Sequence, residues 1–484
     1  MFRSWNRITL AAGSAAFLCV ALVLPAYANV IIVNNICTLG NAIRSANDND
    51  AVGGCADGGA TGPDTIVLTQ DVEVTFAANP ALGEGLPAII SDMVILGFGR
   101  SVTRVSDSLF RLFTLREDIF GTGSLVISDT TISGGATTAA TQPGGGFYVD
   151  PESILVMQRC TVSGNSAQFG GGIRNDRNMI ILDSTITQNE ASGGGAGLDS
   201  FGGSNTVVNS TFSGNVHTGT EGAGIAIEDA GGHVSVNLST FSGNSSASAS
   251  SSTLKGLANS ISIQRSIIAN TVGGGVACQG IRDYPGNKDD DGTCSGDGDL
   301  TGLDPMLADN GGPTRTHALL AGSNAIDHGL ACGQQDDQRG SPRDDNLCDS
   351  GSFEFGALPP DEPEFDSAPN PGTELAFGNV EVGASSTPET VEVTNLGGAN
   401  LELICSLSGA NSDQFDISAC PTPVGTINPE NVTVTCQPTS AGVKSASLDI
   451  ATNDADEMNV SWPLLCTGLM LDEEIVFKDS FEDP

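Results

Sequence analysis

The sequence predicts an all-β chain, a right-handed parallel β-helix followed by an immunoglobulin-like β-sandwich. Three observations carry that expectation. A strand-and-turn unit recurs six times between about Ser124 and Gly275, glycine clusters separate its strands, and beyond a proline-rich stretch the strand alternation resumes without the repeat. The copies close on Ser133-Gly134-Gly135, Ser163-Gly164-Asn165, Thr187-Gln188-Asn189, Ser213-Gly214-Asn215, Ser242-Gly243-Asn244 and Ile268-Ala269-Asn270, at spacings of 30, 24, 26, 29 and 26 residues. Units of this length bury their apolar faces only by stacking on their neighbours.

Counting back from each closing residue aligns Ile132, Val162, Ile186, Phe212, Phe241 and Ile267 as an apolar row, expected to face the core. The preceding row, Thr131, Thr161, Thr185, Thr211, Thr240 and Ser266, is expected to face outward. Side-by-side apolar and hydroxyl rows are the strand period, and β-branched hydroxyl residues fit a pleated surface. The asparagine row is expected at a bend, where Asn tolerates left-handed backbone and stacked amides bond along the stack. Corners fall at Gly144–Gly146, Gly170–Gly172, Gly193–Gly195, Gly222 with Gly224, and Gly273–Gly275. At ~4.8 Å per strand, six coils make a rod segment of roughly 29 Å. The Gly-Gly-apolar and Ser-Gly-Asn elements resemble the repeats of polymorphic outer-membrane-protein and pectate-lyase-like β-helices.

Length and charge narrow the function. The 484 residues hold two or three domains, and the formal charge of −39 becomes −41 if residues 1–28, with Arg3 and Arg7 and no acid, are removed. Such a field repels nucleic acid and anionic membrane and favours divalent cations. Residues 1–28 carry a basic start, an apolar run from Ile8 to Leu24 and Ala26-Tyr27-Ala28, the pattern of a secretory signal peptide. No later apolar run is long enough for a transmembrane helix.

Export makes disulfides the default for the remaining cysteines. Close pairs suggest Cys37–Cys55, Cys278–Cys294 and Cys332–Cys348, while Cys405, Cys420, Cys436 and Cys466 pair among themselves in an order the sequence leaves open. Cys160 shares a row with Thr130, Ser184, Ser210 and Ser239 and reads as a small buried residue.

In chain order, Val30–Val33 is a first strand and Cys37 to Asn47 a short helix with Leu39, Ile43 and Ala46 on one face, a lid for the open end of the stack. That segment is similar to the Cys-Ser-Leu-Arg-Glu-Ala motif at the head of secreted β-helices, with Gly40-Asn41 in place of Arg-Glu. Strands at Thr65–Leu68, Val72–Phe76 and Met93–Leu96 lead into the repeats. From about 278 to 356, Gly298-Asp299-Leu300-Thr301-Gly302-Leu303-Asp304-Pro305, Asn310-Gly311-Gly312-Pro313-Thr314-Arg315-Thr316-His317-Ala318-Leu319-Leu320, Gly322-Ser323-Asn324-Ala325-Ile326-Asp327, Asp337-Gln338-Arg339-Gly340 and Cys348-Asp349-Ser350-Gly351-Ser352-Phe353-Glu354 resemble the choice-of-anchor Q domain of bacterial secreted β-helices. Asn324 stands where that family has Pro, and Ser352 fills a small-residue slot. The resemblance implies a secreted or surface protein and brings no catalytic residues. Arg339 and Arg343 among Asp336, Asp337, Asp344, Asp345 and Glu354 are expected to form ion-paired loops closing the far end of the rod.

The capped β-helix thus covers 29–357, a Pro- and acid-rich linker 358–372, and a sandwich 373–468. The sandwich resembles an immunoglobulin-like choice-of-anchor D or ASH-type module through Leu375–Gly383, Val391–Gly397, Phe415 and Cys436–Gly442. The tail 469–484 is similar to a short ending on exported proteins of Gram-negative bacteria, which implies the extracellular space or outer-membrane surface of such a cell.

Two stretches offer chemistry on the rod. Four residues beyond Gly146, Gly172 and Gly224 stand Asp150, Asp176 and Glu228, and Asp199 joins them if Gly195 is the equivalent glycine, although Gly197-Leu198 fits the apolar slot better. With Arg174 and Arg177 nearby, stacked carboxylates could hold Ca²⁺ against a uronate while an arginine takes its α-proton, the chemistry of a polysaccharide lyase. A solvated acidic edge is the structural alternative. Arg159 between Asp129 and Asp183 reads as an outward ion ladder. Asn287, Asp289 and Asp291 with Gly292 imitate the start of a calcium loop, but the twelfth position is Gly298 rather than Glu. Calcium is the one cofactor candidate.

Two functional classes follow. The first is a non-enzymatic secreted or surface rod for adhesion, matrix or carbohydrate contact; the second is a calcium-dependent lyase or hydrolase of the pectate-lyase-like class using Arg174, Asp150, Asp176 and Glu228. Few aromatic residues in the coils favour the first. The expected partner is a polysaccharide or a cell surface, and a monomer is expected.

Overall fold

The computed structural model describes residues 29–470 apart from 60–61, 118–121, 220, 230, 247, 249–250, 258, 295–297, 331–335, 344–346, 358–362, 364, 396–398, 400, 425–428 and 455–456. The expected signal peptide, most of the tail, Cys332, Asp344 and Asp345 lie outside the described residues. No described helix is long and apolar enough to cross a membrane.

The first body is a parallel β-helix. Each repeat coil contributes a five-residue strand such as Ile154–Gln158, a corner, a three-residue strand such as Thr161–Ser163, a second corner, the short strand Ser166–Ala167, and a strand on a separate sheet, Ile173–Asn175. Each strand pairs in parallel with its counterpart one coil away, as Leu155 with Met179 and Val162 with Ile186. Ile127, Met157, Ile181, Val207, Val236 and Ile263 form one inward row and are at most 1% exposed. The rings of Phe212 and Phe241 stack at 4.8 Å between centroids, the spacing of adjacent strands.

The asparagine row sits at the bend as expected, between strands such as Thr161–Ser163 and Ser166–Ala167, but with its side chains internal and without left-handed backbone of its own. The left-handed residue is the one before it, Gly164 (φ 61), Gln188 (φ 53), Gly214 (φ 61) and Gly243 (φ 66). That turn aims each amide inward, where Asn165 Nδ2 donates to Asn189 Oδ1, Asn189 to Asn215 and Asn215 to Asn244, each at 3.0 Å. Every member also satisfies backbone groups that the corner leaves unpaired, as Asn215 Nδ2 does with Ile186 O at 2.9 Å. Asn270 does not continue the ladder. Thr240 pairs with Ile267 and Phe241 with Ile268, so the sixth coil is one residue out of the sequence alignment. Ile268 occupies the core row, and Asn270 (φ 52) takes the left-handed position of Gly243.

Both ends of the stack are closed. At the start, Leu39–Asp48 is helical, N-capped by Thr38 Oγ1 on Asn41 N, and buries Leu39, Ala42, Ile43 and Ala46. The Cys37–Cys55 disulfide fastens this lid, and Cys278–Cys294 lies in the same apolar core at the opposite end.

The described residues of 299–355 do not form the expected end closure. They run back along the side of the rod over the hydroxyl row, which explains why Thr185, Thr211 and Thr240 are at most 1% exposed. Thr185 Oγ1 donates to Arg315 O at 2.6 Å, Thr211 Oγ1 to Gln338 Oε1 at 2.6 Å, and Thr240 Oγ1 accepts from Ser352 N at 3.0 Å. Hydroxyls repeating at the strand spacing give a second segment a regular set of partners, and Ile267 packs with Leu319 and Phe353 beside them. Within this clasp, Arg339 Nη2 binds Asp337 at 2.7 Å and Arg343 Nη1 binds Glu354 at 2.8 Å, all four side chains being at most 4% exposed. Asn324 bonds Thr301 N and Asp299 O, tying the loop by its side chain.

The second body is a two-sheet sandwich. Its first strand, Phe365–Ala368, lies in the segment expected to be linker and pairs antiparallel with Glu389–Asn395. Its buried-exposed alternation is that of a half-buried strand in spite of the prolines around it. Cys436–Cys466 joins the two sheets, Cys405–Cys420 closes the other pair, and Trp462 is fully buried with Nε1 donating to Pro369 O at 3.0 Å. Cys348 is disulfide-bonded.

Candidate functional site

The separate sheet carries the charged cluster. Phe147, Ile173, Leu198 and Ile225 pair in register and enter the core. Strand alternation then turns Tyr148, Arg174, Asp199 and Ala226 to the outer face in one row. Two residues on, backbone bonds from Asp150, Asp176, Phe201 and Glu228 to the preceding coil set a second outer row. The register resolves Asp199. Leu198 fills the apolar slot, so Asp199 stands beside Arg174, and Phe201 occupies the position between Asp176 and Glu228.

Arg174 and Asp199 face outward yet are covered. Arg174 is 9% exposed at its side chain and Asp199 0%. The turn before Gly195 lies over Asp199, where a Cβ on Gly194 would come within 2.3 Å of the carboxylate, so a larger residue there would have to displace it. Arg174 Nε donates to Asp176 Oδ1 at 2.6 Å, and Nη1 donates to Glu228 Oε2 at 2.8 Å and to Asp199 Oδ2. The guanidinium also lies over Phe201 at 4.7 Å and near Phe169 at 5.7 Å. Tyr148 Oη donates to Asp176 Oδ2 at 3.2 Å, and Arg111 sits 5.2 Å over the Tyr148 ring.

The electrostatics follow from burial and these contacts. Burial raises the Asp199 carboxyl above the usual range; Arg174 opposes this and Glu228 adds to it. Burial alone would lower Arg174, but Asp199, Asp176 and Glu228 outweigh it and raise the group, which stays charged. Burial and then the Asp176 charge raise the Tyr148 phenol. Asp150 is raised by burial, and its Oδ1 accepts from Glu152 N at 3.4 Å.

The structure therefore brings Arg174, Asp176 and Glu228 together, adds Asp199, and leaves Asp150 outside the ion-paired group. Sequence reading did not identify Tyr148, Phe169 or Phe201 as neighbours of the cluster; the apolar slot at Leu198 was the signal for the register. At the corner ladder, Arg159 holds Asp129 with two bonds of 2.6 and 2.8 Å, while Asp183 accepts from Gln158 Nε2 at 3.4 Å. The would-be calcium residues are each engaged by local groups. Asn287 Oδ1 accepts Ser266 N, Asp289 Oδ2 accepts Cys294 N, and Asp291 accepts Thr293 N and Ala277 N, all at 2.7 to 2.9 Å. No group of three or more metal-ligating side chains converges among the described residues.

A general base must lie within hydrogen-bond reach of the proton it takes. Arg174 is largely covered, and Asp176, Asp199 and Glu228 are directed at its guanidinium.

No curated protein matches the chain. Among solved structures, the ASH / PapD-like domain of human CEP192 (PapD-like domain 7) is similar at 14% identity, covering 25% of this chain and 94% of that one, with a TM-score of 0.19. Residues 118–283 match the family model of the right handed beta helix region, the stretch that holds the repeat coils and the charged cluster.

Proposed function

We propose that this chain is a non-enzymatic, exported rod that serves in adhesion or in matrix or carbohydrate contact at or beyond the cell surface. The observation that carries the reading is the closed state of the charged cluster on the rod. Arg174 is ion-paired to three carboxylates and covered by two phenylalanines, which builds a rigid coil and not a reacting centre. Export is supported by the disulfides at both ends of the rod and in the sandwich, which persist in oxidising compartments. The test is to incubate the purified protein with pectin and with alginate, with calcium or EDTA, and follow the absorbance of unsaturated uronate, alongside co-sedimentation with the same polymers. Absence of product in every arm agrees with the proposal. Product that forms with calcium, disappears with EDTA and is lost in Arg174→Lys would overturn it in favour of the lyase.

A further inference from the structure

The long strands of the repeat coils present an outer face that differs from the rest of the chain. Over Ser124–Ser128, Ile154–Gln158, Asn178–Leu182, Ser204–Val208, His233–Asn237 and Ile261–Gln264, the inward residues alternate with outward ones that include no Asp, Glu, Lys or Arg. In a chain with 58 acids and 19 bases, this face is formally neutral. Its middle row is aliphatic over Val126, Val156 and Ile180, all half-buried, and continues as the hydroxyls Thr206, Ser235 and Ser262; Leu182 and Val208, half-buried, and Ile154, exposed at 44%, flank it among Ser, Asn and Gln. Charge returns at both borders, in the Arg177–Glu152 ion pair at one and the Arg159–Asp129 pair at the other. An uncharged face with an aliphatic patch and a charged rim shows the depletion of charge that marks the core of an interface.

We propose that two copies of this chain pair through this face as a reversible dimer. Self-association is what the charge pattern selects: molecules of charge −39 repel each other, and a face without acids is where two of them approach at least cost. The shape agrees, because flat sheets of one kind pack face to face at ~10 Å with interdigitating side chains. The area sets the strength. Six strands at ~4.8 Å and five residues at ~3.3 Å give a footprint of ~460 Å² per copy. A stable interface takes ~800 Å² per partner, so the rim must contribute and the dimer is concentration-dependent.

Sedimentation velocity of the full chain over about a hundredfold range of concentration tests this, with Val156→Asp/Ile180→Asp as the comparison. The wild type is expected to shift from monomer towards dimer, more strongly in high salt, where acid repulsion is screened. The double variant is expected to stay monomeric, with a melting temperature lower by a few degrees, since the two carboxylates stand opposite each other in the register and the dimer no longer adds its stability. A wild type that is monomeric throughout overturns the proposal, as does a dimer the substitutions leave intact. A variant that melts well below the wild type while both are monomeric shows the face to be covered by the chain itself and overturns it equally.

Discussion

Arg174 Nη1 lies 2.8 Å from Glu228 Oε2 although 54 residues separate them, because two turns of the helix return the chain to the same outer face. The contact closes a cluster whose deepest member, Asp199, is fully buried. Removing the cation alone strands that charge. Arg174→Met is expected to cost about 3–5 kcal/mol, the range for breaking a buried pair. Glu228→Gln, at a site 20% exposed that keeps a hydrogen-bond acceptor, is expected to cost about 1 kcal/mol. Urea unfolding at neutral pH measures both, and an Arg174→Met midpoint within error of the wild type would show that the cluster does not hold the coil.

The asparagine ladder gives a prediction that depends on position. Asn215 donates to Ile186 O and Asn244 Oδ1 and accepts from Asn189 N and Nδ2, with no exposure to water. Asn215→Ala leaves several buried groups unpaired and is expected to cost about 3 kcal/mol or more. Asn270 is exposed, and its side chain makes one bond, Nδ2 to Ser242 Oγ at 3.0 Å, so Asn270→Gly, which keeps the left-handed φ, is expected to cost about 1 kcal/mol or less. Equal losses at the two positions would contradict the one-residue shift of the sixth coil.

That shift shows where the sequence is legible and where it stops. Rows such as Ile132, Val162 and Ile186 repeat because each coil needs an apolar residue at the same height, so the period exposes the fold and most of the core. A coil with a changed corner has no such marker, and Ile267-Ile268 offers two apolar residues for one slot. Asp199 depended in the same way on which glycine began its strand. The clasp was illegible for another reason. Its partners are the hydroxyls of Thr185, Thr211 and Thr240, which a solvent-facing strand would carry equally well.

Cys160 heads a second ladder. Its N–H donates to Ser184 Oγ at 3.0 Å, Ser184 N to Ser210 Oγ, Ser210 N to Ser239 Oγ and Ser239 N to Ser266 Oγ, with Asn287 Oδ1 receiving Ser266 N at the end. Cys160→Ser therefore introduces the residue that the later coils already hold, and is expected to alter stability by less than ~1 kcal/mol. The native thiol is fully buried and its pKa is pushed up to about 12 by that burial. It should resist a thiol reagent until the rod unfolds. Rapid labelling of the folded protein would show the site to be accessible and the ladder open.

Asp183 supplies the pH dependence. Burial pushes its carboxyl up to about 6 from 3.8, against smaller opposing contributions from Gln158, Asn209 and Arg159. Between those values the folded chain keeps a proton that the unfolded chain has lost, so this group's effect on stability declines as pH rises through that window and is fully unfavourable above it. Asparagine keeps the side-chain shape and tolerates the residue's φ of 50. Asp183→Asn is thus expected to melt with the wild type at about pH 3.5 and above it at about pH 7.5. The site adjoins the clasp, since Thr314 Oγ1 donates to Asp183 O at 2.9 Å, and the gain should appear with protection of residues 299–355 from hydrogen exchange. If the variant instead melts below the wild type at the higher pH, the ionised carboxylate is held favourably by Arg159, and the ion ladder at that corner extends to all three residues.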